Sequence, residues 1–320
     1  MPRFRVLQTD FAWPDTEIER RGLAEVDAEL IVADKTDAAT LTRLASGVDA
    51  IMTNWAKVPE AVIAAAPHCR IVSRLGIGLD NIDVAYCTRN KIPVTNVPDY
   101  CVIEVAEHTL ALLLGLARKV AFYHHETMQG RYVLQSGPPL KRIAGQTLGL
   151  IGLGNIGRLV AKGAQALGMN VVAYTRSRRD PQPGVNYVEL DELLSGSDYV
   201  SLHIPLNSDS KRLLGAPQFA KMKKGAYLIN TARGGVIDHG ALAASLANGH
   251  LAGAALDVQD PEPPDLSLAP YNDPRVIITP HAAFVSEESL ANLRSRVAKQ
   301  VATRLTGGVP ENVVNPEVLK

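Results

Sequence analysis

Three side chains in the second half of the sequence, Arg233, Glu262 and His281, have the chemistry of an acid–base site. A histidine exchanges protons near neutral pH, a neighbouring carboxylate can orient it and raise its pKa, and a guanidinium can bind a carboxylate through two parallel hydrogen bonds. Each of the three residues follows a short apolar run with the pattern of a buried strand. Since ligands of open α/β sheets bind beyond the carboxyl ends of the strands, we predict that these side chains form one site.

Each residue also has a simpler interpretation when it is taken alone. Arg233 could form a surface ion pair beside a glycine turn, Glu262 between prolines could be exposed, and His281 could be an interior histidine bonded to the backbone. Their joint placement after three predicted strands favours the catalytic interpretation.

The glycine-rich stretch 152–157 is a second candidate site, with the pattern G-x-G-x-x-G. It ends a predicted strand over 147–153 and opens a predicted helix over 156–167, which closes at Gly168. Such glycines let the backbone turn sharply and come close to a pyrophosphate, which the helix N-terminus then attracts. A tight turn with no ligand is the alternative, but the strand–glycine–helix register favours dinucleotide binding. The predicted cofactor residues here are Gly152, Gly154, Asn155, Ile156 and Gly157.

The next predicted strand, 170–175, ends where a site for NAD usually has an acidic residue. Thr175 stands there instead, followed by the basic segment 176–179, and we assign Thr175, Arg176, Ser177 and Arg178 to the cofactor. A hydroxyl and guanidinium groups suit a 2′-phosphate, so the sequence favours NADP(H) and leaves NAD(H) open. A solvated basic loop with no ligand is the alternative.

The elements that position these residues form two series of short apolar strands separated by helical patterns. The first series covers residues 4–7, 29–33, 50–54, 71–75 and 93–96. The second covers residues 147–153, 170–175, 199–203, 226–230, 254–258 and 276–279. This alternation predicts two doubly wound parallel sheets, hence an α/β protein of two domains.

Two longer helices are predicted at the domain boundaries, over 101–123 and 287–305. The last helix is expected to pack back on the first domain. We therefore assign residues 1–101 and 293–320 to one domain and residues 102–292 to the dinucleotide-binding domain.

The composition excludes several classes of protein. In 320 residues, 33 Lys and Arg balance 33 Asp and Glu, so no net positive charge favours nucleic acid. No apolar run reaches the roughly 18 residues of a membrane span, and no secretory leader is recognisable. Three scattered cysteines predict neither a disulfide framework nor a metal site. We expect a cytoplasmic protein without nucleic-acid or membrane partners.

Several segments together resemble the D-isomer-specific 2-hydroxyacid dehydrogenase family. They are the stretch 74–83 (RLGIGLDNID), the glycine loop 152–157, the stretch 231–235 (TARGG), the stretch 256–263 (LDVQDPEP) and Pro280-His281. The resemblance implies a flavodoxin-like substrate domain and a Rossmann domain, and a homodimer formed largely through the helix after Cys101.

The resemblance also implies roles for individual residues. Arg233 would hold the substrate carboxylate and polarise the keto oxygen, and His281, paired with Glu262, would be the general acid in reduction and the base in oxidation. Backbone N–H groups near Gly76 and Ile77 would bind the other side of the carboxylate. The remaining assignments are Leu75 and Asn54 to the substrate, Asp257 to the nicotinamide amide, and His203, Pro205, Thr231 and Ala232 to the cofactor.

The resulting hypothesis is reversible hydride transfer between NAD(P)H and a small 2-oxo acid, which gives the D-2-hydroxy acid. An NADPH-dependent glyoxylate or hydroxypyruvate reductase is the alternative that the basic segment 176–179 favours. Segments 97–102 and 282–289 instead resemble the branch with the C-terminal binding protein corepressors, where a dinucleotide-sensing partner protein is the rival interpretation. The intact set of Arg233, Glu262 and His281 argues against that rival.

Overall fold

The computed structural model describes residues 2–176 and 181–320, which divide into two compact units. One unit comprises the chain up to Tyr100 together with Ser286–Lys320, and the other comprises Cys101–Val285. The first division falls one residue before the expected boundary after 101. The second falls seven residues before the expected start at 293, because the last helix belongs whole to the first unit.

The first unit is built on a parallel sheet with the strand order β2-β1-β3-β4-β5, the flavodoxin-like order. Its strands are β1 (Phe4–Gln8), β2 (Ala28–Val32), β3 (Ala50–Thr53), β4 (Val72–Arg74) and β5 (Val94–Thr95). The intervening helices are α1 (Glu17–Ala24), α2 (Ala38–Ala45), α3 (Glu60–Ala64) and α4 (Val84–Arg89). Successive side chains of a strand point to opposite faces of the sheet. Leu7 and Val6, for example, belong to two different hydrophobic cores, so both faces of this sheet are covered.

The second unit is a Rossmann domain whose parallel sheet has the order β12-β11-β10-β9-β6-β7-β8. Its strands are β6 (Thr147–Ile151), β7 (Asn170–Tyr174), β8 (Val185–Tyr187), β9 (Tyr199–Leu202), β10 (Tyr227–Asn230), β11 (Gly253–Leu256) and β12 (Val276–Ile278). Its helices are α5 (Val102–Arg118), α6 (Val120–Met128), α7 (Asn155–Ala166), α8 (Leu190–Gly196), α9 (Ala216–Lys221) and α10 (His239–Ala247). The predicted fold class of two doubly wound parallel sheets is therefore confirmed.

The last helix, α11 (Glu287–Leu305), packs against α1 in the first unit. The guanidinium of Arg294 binds the buried carboxylate of Glu19 at 2.8–3.0 Å and Asp15 at 2.7 Å. Gly22 allows the two helices to come close, since a Cβ there would lie 2.8 Å from the Cβ of Ala298. This packing returns the end of the chain to the first unit.

The structure differs from the sequence prediction at two elements. The helix predicted over 101–123 is broken at Lys119, which takes the left-handed conformation (φ 54°) and separates α5 from α6. The nearly buried ammonium of Lys119 lies 4.6 Å from the ring centre of Tyr227, a contact that periodicity does not reveal. Strand β8 was not predicted, because only Val185 of its residues is buried.

Within residues 2–176 and 181–320, no helix has both the length and the apolar character to cross a membrane.

Candidate active site

The glycine loop lies where the strand order of the second sheet reverses, between β6 and β9. Gly152 follows β6 with φ +98°, and a Cβ there would collide with the carbonyl oxygen of His203, which follows β9. A Cβ on Gly157 would lie 2.6 Å from the oxygen of Gly152. The chain's own packing therefore requires both glycines.

Gly154 differs from these two glycines. A Cβ at this position would meet no protein atom within 4 Å, although the residue is the N-cap of α7. The first turn of α7, which starts at Asn155, presents backbone N–H groups beside it. The loop is thus a cradle with the shape and polarity for a pyrophosphate, and the residues present fit a dinucleotide.

A cleft of about 300 Å³ extends from this cradle. Of the predicted cofactor residues, it is lined by Gly152, Gly154, Thr175, Arg176, His203 and Pro205. Asn155, Ile156 and Gly157 form the first turn of α7. Ser177 and Arg178 lie outside the described residues. The cleft also contains Asn207, Asp209 and Ser210, which were not predicted.

His203 is an uncharged element of this cleft. Burial lowers the pKa of His203 to about 4, so its imidazole is neutral at physiological pH. Its Nε2 lies 2.9 Å from the hydroxyl of the buried Ser201. The ring can therefore line a ligand site without adding charge to it.

The predicted histidine–carboxylate pair is present in the second unit. His281 Nδ1 lies 2.8 Å from Glu262 Oε2, and the backbone N–H of Gln259 donates to Glu262 Oε1 at 2.8 Å. A carboxylate can only accept here, so Nδ1 carries the proton and Nε2 is the nitrogen that exchanges one.

Glu262 is ionised over the neutral range. Burial alone would raise its pKa, and the hydrogen bond and the charge of His281 oppose that effect. The hydrogen bond from Gln259 and the nearby charge of Arg233 lower the pKa further. The net effect is a pKa below the ordinary value for glutamate.

The loop after β10 carries Arg233 next to this pair. The buried side chain of Asn230 accepts from the N–H of Ala232 (3.0 Å) and donates to the carbonyl of Arg233 (2.9 Å). A Cβ on Gly234 would collide with the backbone at Gln259, so glycine lets this loop pack against the loop after β11. The predicted convergence of Arg233, Glu262 and His281 at three adjacent strand ends is what the structure shows.

The carboxylate of Asp257 anchors the loop that carries His281. It accepts from the backbone N–H groups of Ala282 (2.8 Å) and Ala283 (3.0 Å) and from the hydroxyl of Thr279 (2.5 Å). Its side chain is 1% exposed. The structure thus gives Asp257 a role in positioning, and the contact with a nicotinamide amide stays a prediction.

Two further histidines that were not predicted to take part support these loops. His108 on α5 places its Nε2 3.0 Å from Thr279 Oγ1. His239 on α10 places its Nε2 3.1 Å from the carbonyl of Gly234 and its Nδ1 3.2 Å from the hydroxyl of Tyr271. A histidine near the start of a helix gives no sequence signal for such a role.

Thr231 and Ala232 lie at the end of β10, as the sequence predicted. The hydroxyl of Thr231 is 2.9 Å from that of the buried Thr109 on α5. Pairing with α5 fixes the Thr231 side chain, while Ala232 belongs to the turn that Asn230 holds.

In the first unit, the loop after β4 has a defined backbone orientation. The carbonyl of Gly76 accepts from Val97 N (3.1 Å), and that of Leu75 accepts from the Arg74 guanidinium. Since the C=O and N–H of a trans peptide point in opposite directions, the N–H groups of Gly76 and Ile77 face away from those partners.

Asn54 follows β3 and lies beside this loop. Its Oδ1 accepts from Arg74 Nη1 at 3.2 Å, and its N–H donates to Asp10 at 2.9 Å. Asp10 also accepts from the N–H groups of Trp55 (2.7 Å) and Ala56 (3.1 Å). Arg74 and Asp10 were not predicted as site residues, although Arg74 directly precedes the predicted loop.

Comparison with known proteins agrees with this geometry. The family described as "D-isomer specific 2-hydroxyacid dehydrogenase, NAD binding domain" matches residues 110–283. A glyoxylate reductase of Korarchaeum cryptofilum is 36% identical over 318 residues, which are 95% of each protein.

Two solved structures extend the likeness to nearly the whole chain. A D-lactate dehydrogenase from Aquifex aeolicus, complexed with NAD and lactic acid, superimposes with a TM-score of 0.88 at 28% identity and covers 97% of this chain and 99% of its own. An acyclic imino acid reductase, Bsp5, in complex with NADPH and D-Arg gives a TM-score of 0.86 at 28% identity with the same coverage.

The chain belongs to the D-isomer specific 2-hydroxyacid dehydrogenase family. It is an oxidoreductase of the class that acts on the CH–OH group of hydroxy acids with a nicotinamide dinucleotide.

Proposed function

We propose that the protein catalyses reversible hydride transfer between NAD(P)H and a small 2-oxo acid, with the D-2-hydroxy acid as the reduced product. One observation carries the proposal. The 2.8 Å bond between His281 Nδ1 and Glu262 Oε2 fixes one proton on Nδ1 and so makes Nε2 the nitrogen that exchanges a proton, in the same unit as the glycine cradle.

We propose that the dinucleotide lies along the cleft from the Gly152–Gly157 loop to Thr175 and Arg176. The reduced nicotinamide supplies the hydride that the carbonyl carbon receives. Arg176 supports a preference for NADP(H), since its guanidinium suits a 2′-phosphate.

The chain's own residues supply the remaining steps. Arg233 binds the carboxylate of the 2-oxo acid, which fixes the carbonyl with respect to the loop. His281 donates its Nε2 proton to the carbonyl oxygen as the hydride arrives and recovers a proton from solvent afterwards. Glu262 keeps the ring oriented and stabilises its protonated form.

For the first unit, we propose that the loop 75–78 binds a carboxylate through the N–H groups of Gly76 and Ile77. The support is that the carbonyl groups of the same two peptides are bonded to Val97 and Arg74, so the N–H groups point away from these partners. Asn54 would add an amide from the neighbouring strand end.

Glyoxylate and hydroxypyruvate are the substrates that we favour. The glyoxylate reductase of K. cryptofilum, at 36% identity over nearly the whole chain, supports a small side chain on the 2-oxo acid. The basic character of Arg176 next to the cleft agrees with an NADPH-dependent reductase.

The test is the absorbance of the reduced nicotinamide during reaction with glyoxylate, hydroxypyruvate, pyruvate, phenylpyruvate and 2-oxobutyrate. NADPH and NADH are assayed separately, and the product is resolved on a chiral column. We expect turnover with glyoxylate or hydroxypyruvate, faster with NADPH, and a D product from every acid whose reduction creates a stereocentre, which excludes glyoxylate. No oxidation of NADPH or NADH with any of the five acids, or formation of an L product, would contradict the proposal.

We further propose that the enzyme is a homodimer. None of the residues of α6, all of which the structure describes, is buried. Exposed apolar side chains cluster in this part of the sequence, namely Ile103, Val120, Met128, Tyr132, Val133 and Leu134. We propose that a second copy of the chain covers these side chains, because large exposed apolar surfaces mark protein interfaces. Sedimentation of the wild type should give twice the mass of 34.4 kDa, and Val120→Asp with Met128→Asp should shift it towards the monomer.

A further inference from the structure

We propose that Asp209 is a specificity-determining residue for the cofactor, which opposes the preference that Arg176 creates for a 2′-phosphate. The inference rests on the proposed dinucleotide site and refines it. A guanidinium alone would favour NADP(H) strongly, whereas a guanidinium already paired with a carboxylate lets NAD(H) bind as well.

The ion pair is direct and accessible. Arg176 Nη1 and Nη2 lie 2.6 Å and 3.0 Å from the same oxygen of Asp209, and both residues line the cleft. The side chains are 61% and 63% exposed. A ligand in the cleft can therefore reach both charges.

The position of Asp209 is fixed by a turn after β9. The side-chain oxygen of Asn207 accepts from the N–H groups of Asp209 (3.0 Å) and Ser210 (3.1 Å). The hydroxyl of Ser210 donates to the carbonyl of Pro205 at 2.7 Å. Asp209 is thus held by a local hydrogen-bonded turn of the cleft wall.

This placement explains why the carboxylate was missed from the sequence. The acid of an NAD site is expected after the strand that follows the glycine loop, where this chain has Thr175. Here a carboxylate reaches the same cleft from β9, on the other side of β6 in the sheet. It can accept a hydrogen bond from a ribose hydroxyl, as an acid at the usual position does.

The two dinucleotides meet this pair differently. A 2′-phosphate gains the guanidinium but meets the negative charge of Asp209, and it must displace that carboxylate from Arg176. An exposed ion pair is a weak interaction, so the displacement is possible but reduces affinity. A ribose with a free 2′-hydroxyl meets no repulsion from Asp209.

The experiment is calorimetric titration of the full-length protein with NADP⁺ and with NAD⁺, in the parent and in Asp209→Asn. Removing the charge should tighten NADP⁺ binding about tenfold, the effect of ~1.4 kcal/mol, while NAD⁺ binds equally or more weakly. Arg176→Gln should weaken NADP⁺ binding and leave NAD⁺ binding within about twofold.

Asp191→Asn is the matched control. Asp191 forms an exposed ion pair of 2.7 Å with Lys221 in the same unit and does not line the cleft. The Asp191→Asn substitution removes one negative charge, as Asp209→Asn does, but outside the cleft. It should therefore leave the ratio of the two dissociation constants unchanged.

Three results would overturn the inference. An unchanged ratio in Asp209→Asn would show that Asp209 does not set selectivity, and an equal change in Asp191→Asn would assign the effect to net charge. If the parent binds neither dinucleotide, the proposed cofactor site fails, and the inference fails with it. If both dinucleotides bind but the ratio of their dissociation constants is the same in Asp209→Asn as in the parent, the inference about Asp209 is wrong and the proposed cofactor site stands.

Discussion

His281 holds its backbone in the left-handed region, with φ +52°, which a residue with a side chain adopts at a cost of roughly 1–3 kcal/mol. The hydrogen bonds from the loop to Asp257 hold the residue there. His281 N donates to the carbonyl of Asp257 (2.8 Å), and the next two N–H groups bind its carboxylate. The structure therefore keeps a strained residue where its ring meets Glu262.

The first prediction at this scale concerns the charge of Glu262. Its lowered pKa keeps it ionised across the neutral range, and that ionisation is lost only as pH falls through the lowered value. Glu262 therefore produces no limb of the pH–rate profile in the neutral range.

In Glu262→Gln, the amide keeps a hydrogen bond to the ring but removes the charge that stabilises its protonated form. The falling limb of the reduction rate should move to lower pH, while the rising limb of the oxidation rate moves the same way. Initial rates over a range of pH in both directions test this. A profile that keeps the parental limbs would show that the carboxylate does not influence proton exchange.

At the scale of elements, the loops after β10, β11 and β12 hold one another. Gln259 follows β11, and its amide donates to the carbonyls of Leu256 (3.0 Å) and Thr279 (3.3 Å). Helix α10 supports the first of these loops, because His239 Nε2 bonds the carbonyl of Gly234 while its Nδ1 is held by the hydroxyl of Tyr271. Arg233 is thereby positioned by contacts beyond its own loop.

The second prediction tests that support through Tyr271→Phe. The hydroxyl, which is 3.2 Å from His239 Nδ1, is lost while the ring remains. A looser Arg233 loop should raise KM for the 2-oxo acid several-fold and leave dinucleotide affinity unchanged, since the cradle lies after a different strand.

Tyr86→Phe, on α4 of the first unit and away from the loops after β10, β11 and β12, is the matched control. An unchanged KM in Tyr271→Phe, or an equal rise of KM in both variants, would show that the Tyr271 hydroxyl does not position Arg233.

Much of this arrangement could be predicted from the sequence, because buried parallel strands have apolar runs and the glycine loop has a fixed spacing. The residues that could not be predicted depend on tertiary contacts. Lys119 ends α5 where its ammonium meets Tyr227, and β8 is too short and exposed to show a pattern. Asp209 and His108 reach their partners from elements whose sequences give no reason to join them.

At the scale of the whole molecule, stability should depend on pH through buried histidines. Burial lowers the pKa of His203 to about 4, and burial also lowers the pKa of His239. In the unfolded chain a histidine titrates near its ordinary value of about 6.5. Between these values the unfolded state binds more protons, so stability falls as pH decreases below about 6.5.

The third prediction concerns this loss of stability at low pH. Lowering pH from 6.5 to 5 should remove about 1.5 kcal/mol of unfolding free energy through His203 alone. Urea denaturation of the parent and of His203→Gln at the two pH values measures the difference. The variant should lose less stability than the parent, and an equal loss in both proteins would show that His203 is protonated in the folded state.

The measurement that tests the central claim most directly compares the parent with His281→Gln. Oxidation of the reduced nicotinamide by the best 2-oxo acid gives kcat, and titration with the dinucleotide gives its affinity. Without the proton donor, kcat should fall by about 10²–10⁴-fold while dinucleotide affinity stays within twofold. Turnover at the parental rate would contradict the assignment of His281 as the acid and base of the reaction.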